Sequence, residues 1–183
     1  ADSYYCAVTC AASGVTTNST PITVAAPNGS ISTYPLSENF DSSSIGSSTN
    51  NNAPSCWSYL ETSGSAGYGY ISSSSPYSPS LCFYLYNSSD TAGNIMLVSP
   101  SMVNLTDGTK RVRFIGKGNG NTVQIGTLSD PTNPASFTAI GSPVTLTSAW
   151  EQYSVVIPSG TGSYLAIKHG LGGTYKSIYI DDV

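Results

Sequence analysis

The chain has 183 residues, of which only 9% are charged, and its net charge is −4. About a quarter of the residues of an average soluble domain are charged, so this composition argues against a helical cytosolic protein with charged helix faces. Six basic residues are too few for a nucleic-acid surface. No apolar run approaches the roughly 20 residues that span a bilayer, so we expect neither a nucleic-acid partner nor a membrane span.

Residues 1–34 contain few large apolar side chains and are predicted to form an extended N-terminal arm. One strand is predicted over residues 20–26, which include Ile22 and Val24, and a shorter one begins at Ile31. A strand with little apolar mass of its own can complete the sheet of a neighbouring copy, and head-to-tail use of such an arm yields a filament. The alternatives are that the arm folds back on its own domain as an edge strand, or is a linker.

Residues 35–183 show many short strands separated by turn clusters, the pattern of an all-β, two-sheet antiparallel β-sandwich (jelly roll). The predicted strands cover residues 56–60, 67–71, 81–86, 94–98, 111–115, 122–128, 136–140, 144–147, 151–157, 164–168 and 176–181. Residues 111–115 alternate polar and apolar, Asn119-Gly120 suits a tight turn, and residues 122–125 resume the alternation. This pattern predicts a β-hairpin.

Catalytic motifs are weak in this chain. No Gly-x-Ser-x-Gly elbow is present, and a Ser-His-Asp triad would have to use His169, the only histidine. We expect His169 to face solvent or to pack at a strand end. The glutamates show no pattern that would place them in a glycosidase cleft, so the chain is predicted not to be an enzyme.

Two features fit a secreted protein. Four cysteines predict two disulfides, and of the three possible connectivities we favour Cys6–Cys10 with Cys56–Cys82; buried free thiols are the alternative. Asn-x-Ser/Thr triplets mark possible N-glycosylation at Asn18, Asn28, Asn87 and Asn104.

Two acidic clusters lie at the start and the end of the predicted sandwich. Glu38 and Asp41 open it, and Asp181 and Asp182 close it. First and last strands often lie side by side in such folds, so as many as four carboxylates could meet there. Together they would repel unless a cation such as Ca²⁺ joined them; otherwise the side chains point apart and are solvated.

A tyrosine-dense stretch covers residues 67–86. Aromatic rings stack on sugar faces, so Tyr68, Tyr70 and Tyr77 are candidate glycan contacts. The alternative is that half of the tyrosines in this stretch face the core, because alternation along a strand buries every second residue.

Several motifs occur in a familiar order: Glu38-Asn39-Phe40-Asp41, Cys56-Trp57, NIMLVSP at residues 94–100, AWEQY at residues 149–153, and IYIDDV at residues 178–183. This order resembles the MAM-like and cleaved-adhesin (choice-of-anchor J type) jelly-roll domains of bacterial surface proteins, over about residues 36–183. The resemblance implies an adhesive, carbohydrate-binding or assembly role. It also implies a structural calcium held by Glu38, Asp41 and Asp181, with Asp182 as a further candidate.

Together these observations predict a non-catalytic extracellular structural or adhesive module. The leading expectation is a subunit of a surface fibre that binds other copies of itself through Ile22, Val24 and Ile31 of the arm. The alternative is a carbohydrate-binding module of a secreted multidomain protein.

Overall fold

The computed structural model describes residues 30–172 and 174–183 together with four short strands of the arm: β1 (Asp2–Tyr4), β2 (Ala7–Thr9), β3 (Thr16–Asn18) and β4 (Ile22–Val24). β1 pairs with β4 and β2 pairs with β3, both antiparallel. The predicted strand with Ile22 and Val24 therefore exists and pairs within its own chain. The side chains of Ile22 and Val24, together with Cys6, Cys10 and Asn28, lie outside the described residues.

Each strand predicted after Pro35 is present, with shifted ends in most cases. The strands are β5 (Ser58–Glu61), β6 (Gly67–Ser72), β7 (Cys82–Asn87), β8 (Ile95–Val98), β9 (Asp107–Lys117), β10 (Thr122–Leu128), β11 (Thr138–Ala139), β12 (Val144–Thr145), β13 (Glu151–Ser159), β14 (Tyr164–His169) and β15 (Lys176–Asp181). Two single 3₁₀ turns, Gly64–Ala66 and Pro134–Ser136, are the only helical elements among the described residues, and neither could cross a bilayer.

The strands form two antiparallel sheets. The five-stranded sheet has the order β13-β9-β15-β7-β6. The six-stranded sheet has the order β11-β10-β14-β8-β5, with β12 also paired to β10. Apolar side chains from the facing sides of both sheets, such as Phe83, Leu97, Phe114 and Ile167, form the core between them. The predicted all-β sandwich is confirmed.

The predicted hairpin of residues 111–115 and 122–128 is wrong, although its turn is present. Asn119 and Gly120 adopt the predicted positive φ angles of 48° and 83°. However, β9 and β10 belong to different sheets. The turn pairs with a third segment instead: the Gly118 N–H donates to the Thr147 carbonyl at 2.8 Å, and the Gly120 N–H donates to the Leu146 carbonyl at 2.7 Å.

Ile31, predicted to belong to the assembly arm, instead joins its own sandwich. Its N–H donates to the Ser101 carbonyl at 2.7 Å, and its carbonyl accepts from the Val103 N–H at 2.8 Å. The Ile31 side chain packs against the core, where burial removes apolar surface from water. The contacts of the sandwich therefore begin before the predicted boundary at residue 35.

The favoured Cys56–Cys82 disulfide is not present, and this prediction is corrected. Cys82 lies on β7 of the five-stranded sheet, whereas Cys56 precedes β5 of the other sheet and is exposed. The buried Cys82 thiol contacts the carbonyls of Ser72 and Ser74 at 3.6 Å each. Burial raises the pKa of Cys82 to about 12, so the group stays a protonated thiol.

Candidate functional site: an aromatic face on the five-stranded sheet

Strand register places five tyrosines on the outer face of the five-stranded sheet. Tyr68 and Tyr70 on β6 lie opposite Tyr86 and Tyr84 on β7, and Tyr84 lies opposite Tyr179 on β15. Successive side chains alternate between the two faces of a strand, so these five share one face. All five are half-buried.

The Gly-Tyr-Gly-Tyr sequence of β6 explains this face. Gly67 and Gly69 are buried at the positions that face the core, while the side chains of Tyr68 and Tyr70 point outward. A Cβ atom on Gly69 would lie 2.6 Å from Cε2 of Tyr59 and 2.9 Å from Cδ2 of Leu85. Glycine is therefore required on the inner side, where β5 of the opposite sheet packs closely. The large side chains of β6, those of its tyrosines, lie on the outer side.

The tyrosine rings are in contact with one another. The ring centroids of Tyr68 and Tyr86 are 4.7 Å apart, those of Tyr84 and Tyr179 are 4.9 Å apart, and those of Tyr70 and Tyr84 are 5.4 Å apart. These separations are typical of favourable aromatic pairs, so each ring limits the rotation of its neighbours.

Two further aromatic residues extend the row across the sheet. The Trp150 ring, just before β13, lies 6.3 Å from the Tyr179 ring in an edge-on arrangement. Tyr77 lies 6.0 Å from Trp150 and is 54% exposed. We call the set the aromatic band; it consists of Tyr68, Tyr70, Tyr77, Tyr84, Tyr86, Trp150 and Tyr179. It crosses the sheet from β6 to β13, a distance of about 19 Å at the usual spacing between strands.

Asp181 holds the loop that carries Tyr77. Its carboxylate accepts hydrogen bonds from the backbone N–H groups of Tyr77 at 2.9 Å and Ser78 at 3.1 Å. It also accepts from the Ser78 hydroxyl at 3.3 Å and from the Asp182 N–H at 2.9 Å. Because Asp181 is fully buried, these bonds compensate its lost hydration and fix Tyr77 against Trp150.

Polar groups surround the rings. The hydroxyls of Tyr84 and Ser177 are 2.9 Å apart. Lys117 Nζ donates to the Ser75 hydroxyl at 3.0 Å and lies 5.9 Å from the ring centroids of both Trp150 and Tyr179. Burial raises the pKa of Tyr84, so its hydroxyl remains a neutral donor and acceptor. The face thus offers flat apolar surfaces with hydrogen-bonding groups between them.

The structure brings Tyr68 and Tyr70 into the centre of the band and places Tyr77 at one end. Their contact with a glycan stays a prediction. The alternative that half of these tyrosines face the core is wrong, because all the tyrosines of β6 and β7 point outward. Sequence reasoning did not assign Trp150 or Tyr179 to the site, since they join it only through the strand order.

The backbones of the two acidic clusters pair with each other. The Glu38 N–H donates to the Val183 carbonyl, and the Val183 N–H donates to the Glu38 carbonyl, both at 2.9 Å. The Glu38 carboxylate accepts from the Phe40 N–H at 2.7 Å, and burial raises the pKa of Glu38. Asp41 accepts from the Leu81 N–H at 2.9 Å.

The carboxylates predicted to hold calcium are engaged in hydrogen bonds. Glu38, Asp41 and Asp181 each accept hydrogen bonds from backbone N–H groups, so part of their coordinating capacity is already used. Within the described ranges, no group of three or more Asp, Glu, His or Cys side chains is arranged to hold a metal ion. Asp182 therefore belongs to no such group. Calcium binding by this set therefore remains a prediction for experiment.

His169 has a packing role, one of the two roles expected. It is buried; its Nδ1 accepts from the Leu171 N–H at 2.9 Å, and its Nε2 lies 3.2 Å from the Lys176 carbonyl. Nδ1 as acceptor requires the neutral tautomer that donates through Nε2. Burial lowers the pKa of His169 to about 4, so it is uncharged at neutral pH.

The predicted glycosylation sites differ in accessibility. Asn87 is fully buried and its side-chain amide bonds Asp90, so it does not fit a glycan acceptor and this prediction is corrected. Asn104 is exposed and stays a candidate. Asn18 lies on β3, where only the backbone is described.

A cavity of about 840 Å³ lies beside one half of β9. β15 pairs with β9 only at Ile115, Gly116 and Lys117, so the preceding part of β9 has no strand partner on that side. The cavity lies at this position, and its lining includes residues 34–39 and residues 110–115.

The sequence matches no known family profile and no curated protein. Solved structures show the fold. The K2 cleaved adhesin domain of Lys-gingipain superposes with a TM-score of 0.64 at 21% identity, covering 80% of this chain and 96% of that domain. The K3 domain from Porphyromonas gingivalis gives 0.61 at 18% identity, covering 80% and 95%. A family 22 xylan-binding domain of Paenibacillus barcinonensis Xyn10C gives 0.50 at 11% identity, covering 80% and 89%. The chain thus has a cleaved-adhesin-like β-sandwich fold.

Proposed function

We propose that this chain is a non-catalytic, carbohydrate-binding module of an extracellular protein, and that the aromatic band contacts the glycan. The carrying observation is the continuous row of ring contacts across the outer face of the five-stranded sheet. Similarity of fold to cleaved adhesin and xylan-binding domains supports the proposal.

Sugar rings have apolar faces and polar edges, which the band matches. Aromatic rings supply flat apolar contact area, and the hydroxyls of the tyrosines and of Ser177 supply hydrogen-bond partners. Because the rings already pack against one another, little side-chain entropy is lost when a ligand binds. The length of the band suits several consecutive sugar units rather than a single one.

Alanine variants of band residues test the proposal. Affinity electrophoresis through gels that contain different polysaccharides should show retardation of the wild type. Tyr70→Ala and Tyr179→Ala should each weaken binding about tenfold, which corresponds to about 1.4 kcal/mol. Tyr175→Ala is the matched control, because Tyr175 is 77% exposed and has no ring contact with the band. Absence of retardation in every polysaccharide, or an equal loss in Tyr175→Ala, would contradict the proposal.

Self-assembly by strand addition is a second candidate, favoured by the cavity beside β9. A strand from a second copy could pair with the open edge of β9 there, as donated strands do. The arm strand β4 already pairs with β1, so donation requires this pair to open. Electron microscopy and sizing of the intact chain should show polymers that disappear on deletion of residues 1–29. A stable monomer with the arm intact would exclude this candidate.

A further inference from the structure

The outer face of the five-stranded sheet also carries a row of cations. Arg111, Arg113 and Lys117 on β9 alternate with the buried Val112 and Phe114, so they point outward. They are three of the six basic residues in a chain whose net charge is −4. The basic charge of this acidic protein is therefore concentrated beside the aromatic band.

Lys117 lies in line with the rings. Register places Tyr70 opposite Tyr84, Tyr84 opposite Tyr179, and Tyr179 opposite Lys117. A chain-like ligand that stacks on these three rings therefore meets the Lys117 ammonium as its next contact. The contacts of Lys117 Nζ with the Ser75 hydroxyl and with the faces of Trp150 and Tyr179 hold it in this place.

These cations are not neutralised by paired carboxylates. Across the described part of the chain the one ion pair is Lys110–Asp107. Asp181, the acidic residue that the register places on this face, is buried and its carboxylate is directed at backbone N–H groups. The exposed Glu151 and Asp182 lie at the borders of the face, where β13 begins and β15 ends.

We infer that the ligand of the aromatic band is an acidic polysaccharide, one whose sugar units carry carboxylates, and that Lys117 pairs with one of them. This inference rests on the proposed carbohydrate-binding function. A uronic acid presents the same apolar ring face as a neutral sugar, together with a carboxylate at its edge. The tyrosine rings bind the apolar face of the sugar. Lys117 binds the carboxylate, and Arg113 and Arg111 follow it along β9. Elsewhere the negative net charge of the chain repels such a polymer, so binding is directed to this face.

The probes are polygalacturonate, an uncharged xylan and single-stranded DNA, each in affinity electrophoresis at low and high NaCl. The wild type should bind polygalacturonate most tightly, and NaCl should weaken this binding. Lys117→Gln should weaken polygalacturonate binding about tenfold and xylan binding by a much smaller factor. Lys168→Gln is the matched control, since it removes the same charge from β14 of the opposite sheet and should have no effect.

The outcomes separate the two proposals. Equal, salt-independent binding of xylan and polygalacturonate would overturn the acidic preference and leave the carbohydrate-binding function intact. Failure to bind polygalacturonate would overturn the acidic preference, and failure to bind every polysaccharide in the panel of the preceding test would overturn both. Equal effects of Lys117→Gln and Lys168→Gln would show a response to net charge alone and overturn the role of Lys117. Tighter binding of single-stranded DNA than of polygalacturonate would identify the face as a nucleic-acid surface.

Discussion

Replacing Gly69 by alanine should destabilise the sandwich and disturb the aromatic band at the same time. The added Cβ would lie 2.6 Å from Cε2 of Tyr59, about 1 Å closer than ordinary contact. The Tyr59 ring packs against Phe83 with centroids 6.5 Å apart, and Leu85 is fully buried. Both side chains pack in the core, so we expect β6 to move outward and carry Tyr68 and Tyr70 with it.

Overpacking of this kind costs about 2 kcal/mol. For a domain of this size, the melting temperature should fall by about 4–8 °C, as measured by calorimetry or circular dichroism. Polysaccharide binding should weaken as well, although no ring is changed. Gly160→Ala is the control, since a Cβ there meets no heavy atom within 4 Å. If Gly69→Ala melts at the wild-type temperature, the close packing of β5 against β6 is wrong.

Three further results are expected. Addition of EDTA should leave the melting temperature unchanged, because Asp41 and Asp181 already accept backbone N–H groups; a fall that Ca²⁺ reverses would establish the calcium site instead. Because the folded-state pKa of His169 is depressed to about 4 from 6.5, its contribution to stability is full above the unfolded pKa and is lost as pH falls. Urea unfolding should show a loss of about 2 kcal/mol between pH 7 and pH 5, and His169→Gln should remove this dependence. Native Cys82 should resist iodoacetamide, and peptide mapping without reductant should recover no Cys56–Cys82 link; a recovered link would contradict the buried thiol.

Local patterns were sufficient to predict the strands but not their partners. Alternation and turn residues located all the strands of the sandwich. The same alternation in residues 111–115 and 122–125 fits a hairpin and a corner between two sheets equally well. The difference depends on whether the turn at Asn119 and Gly120 pairs with residues 144–147, a contact that no local pattern reveals.

The candidate site was predictable only in part, because it combines residues from strands whose pairing the sequence does not reveal. The tyrosines of β6 were visible in the sequence, and the alternating Gly67 and Gly69 are a signal that the tyrosines face outward, since glycine at every second position leaves the inner side to close packing. Trp150 and Tyr179 are distant in sequence and meet the band only because β15 lies between β7 and β9. The sequence left open whether the acidic clusters meet or point apart; the backbones of Glu38 and Val183 pair, and the bonds of Asp181 to the Tyr77 loop depend on that loop's conformation.

The division of β6 and β7 into an inner and an outer face separates the residues that pack the core from those proposed to contact a ligand. Inward positions, such as Gly69 and Leu85, are constrained by packing, whereas outward positions, such as Tyr70 and Tyr86, are not part of the core between the sheets. Outward residues can therefore be exchanged without disturbing the packing between the sheets. Related copies of this scaffold can diverge in specificity without redesign of their interior, and the outward positions form a natural set to randomise in a library of engineered binders.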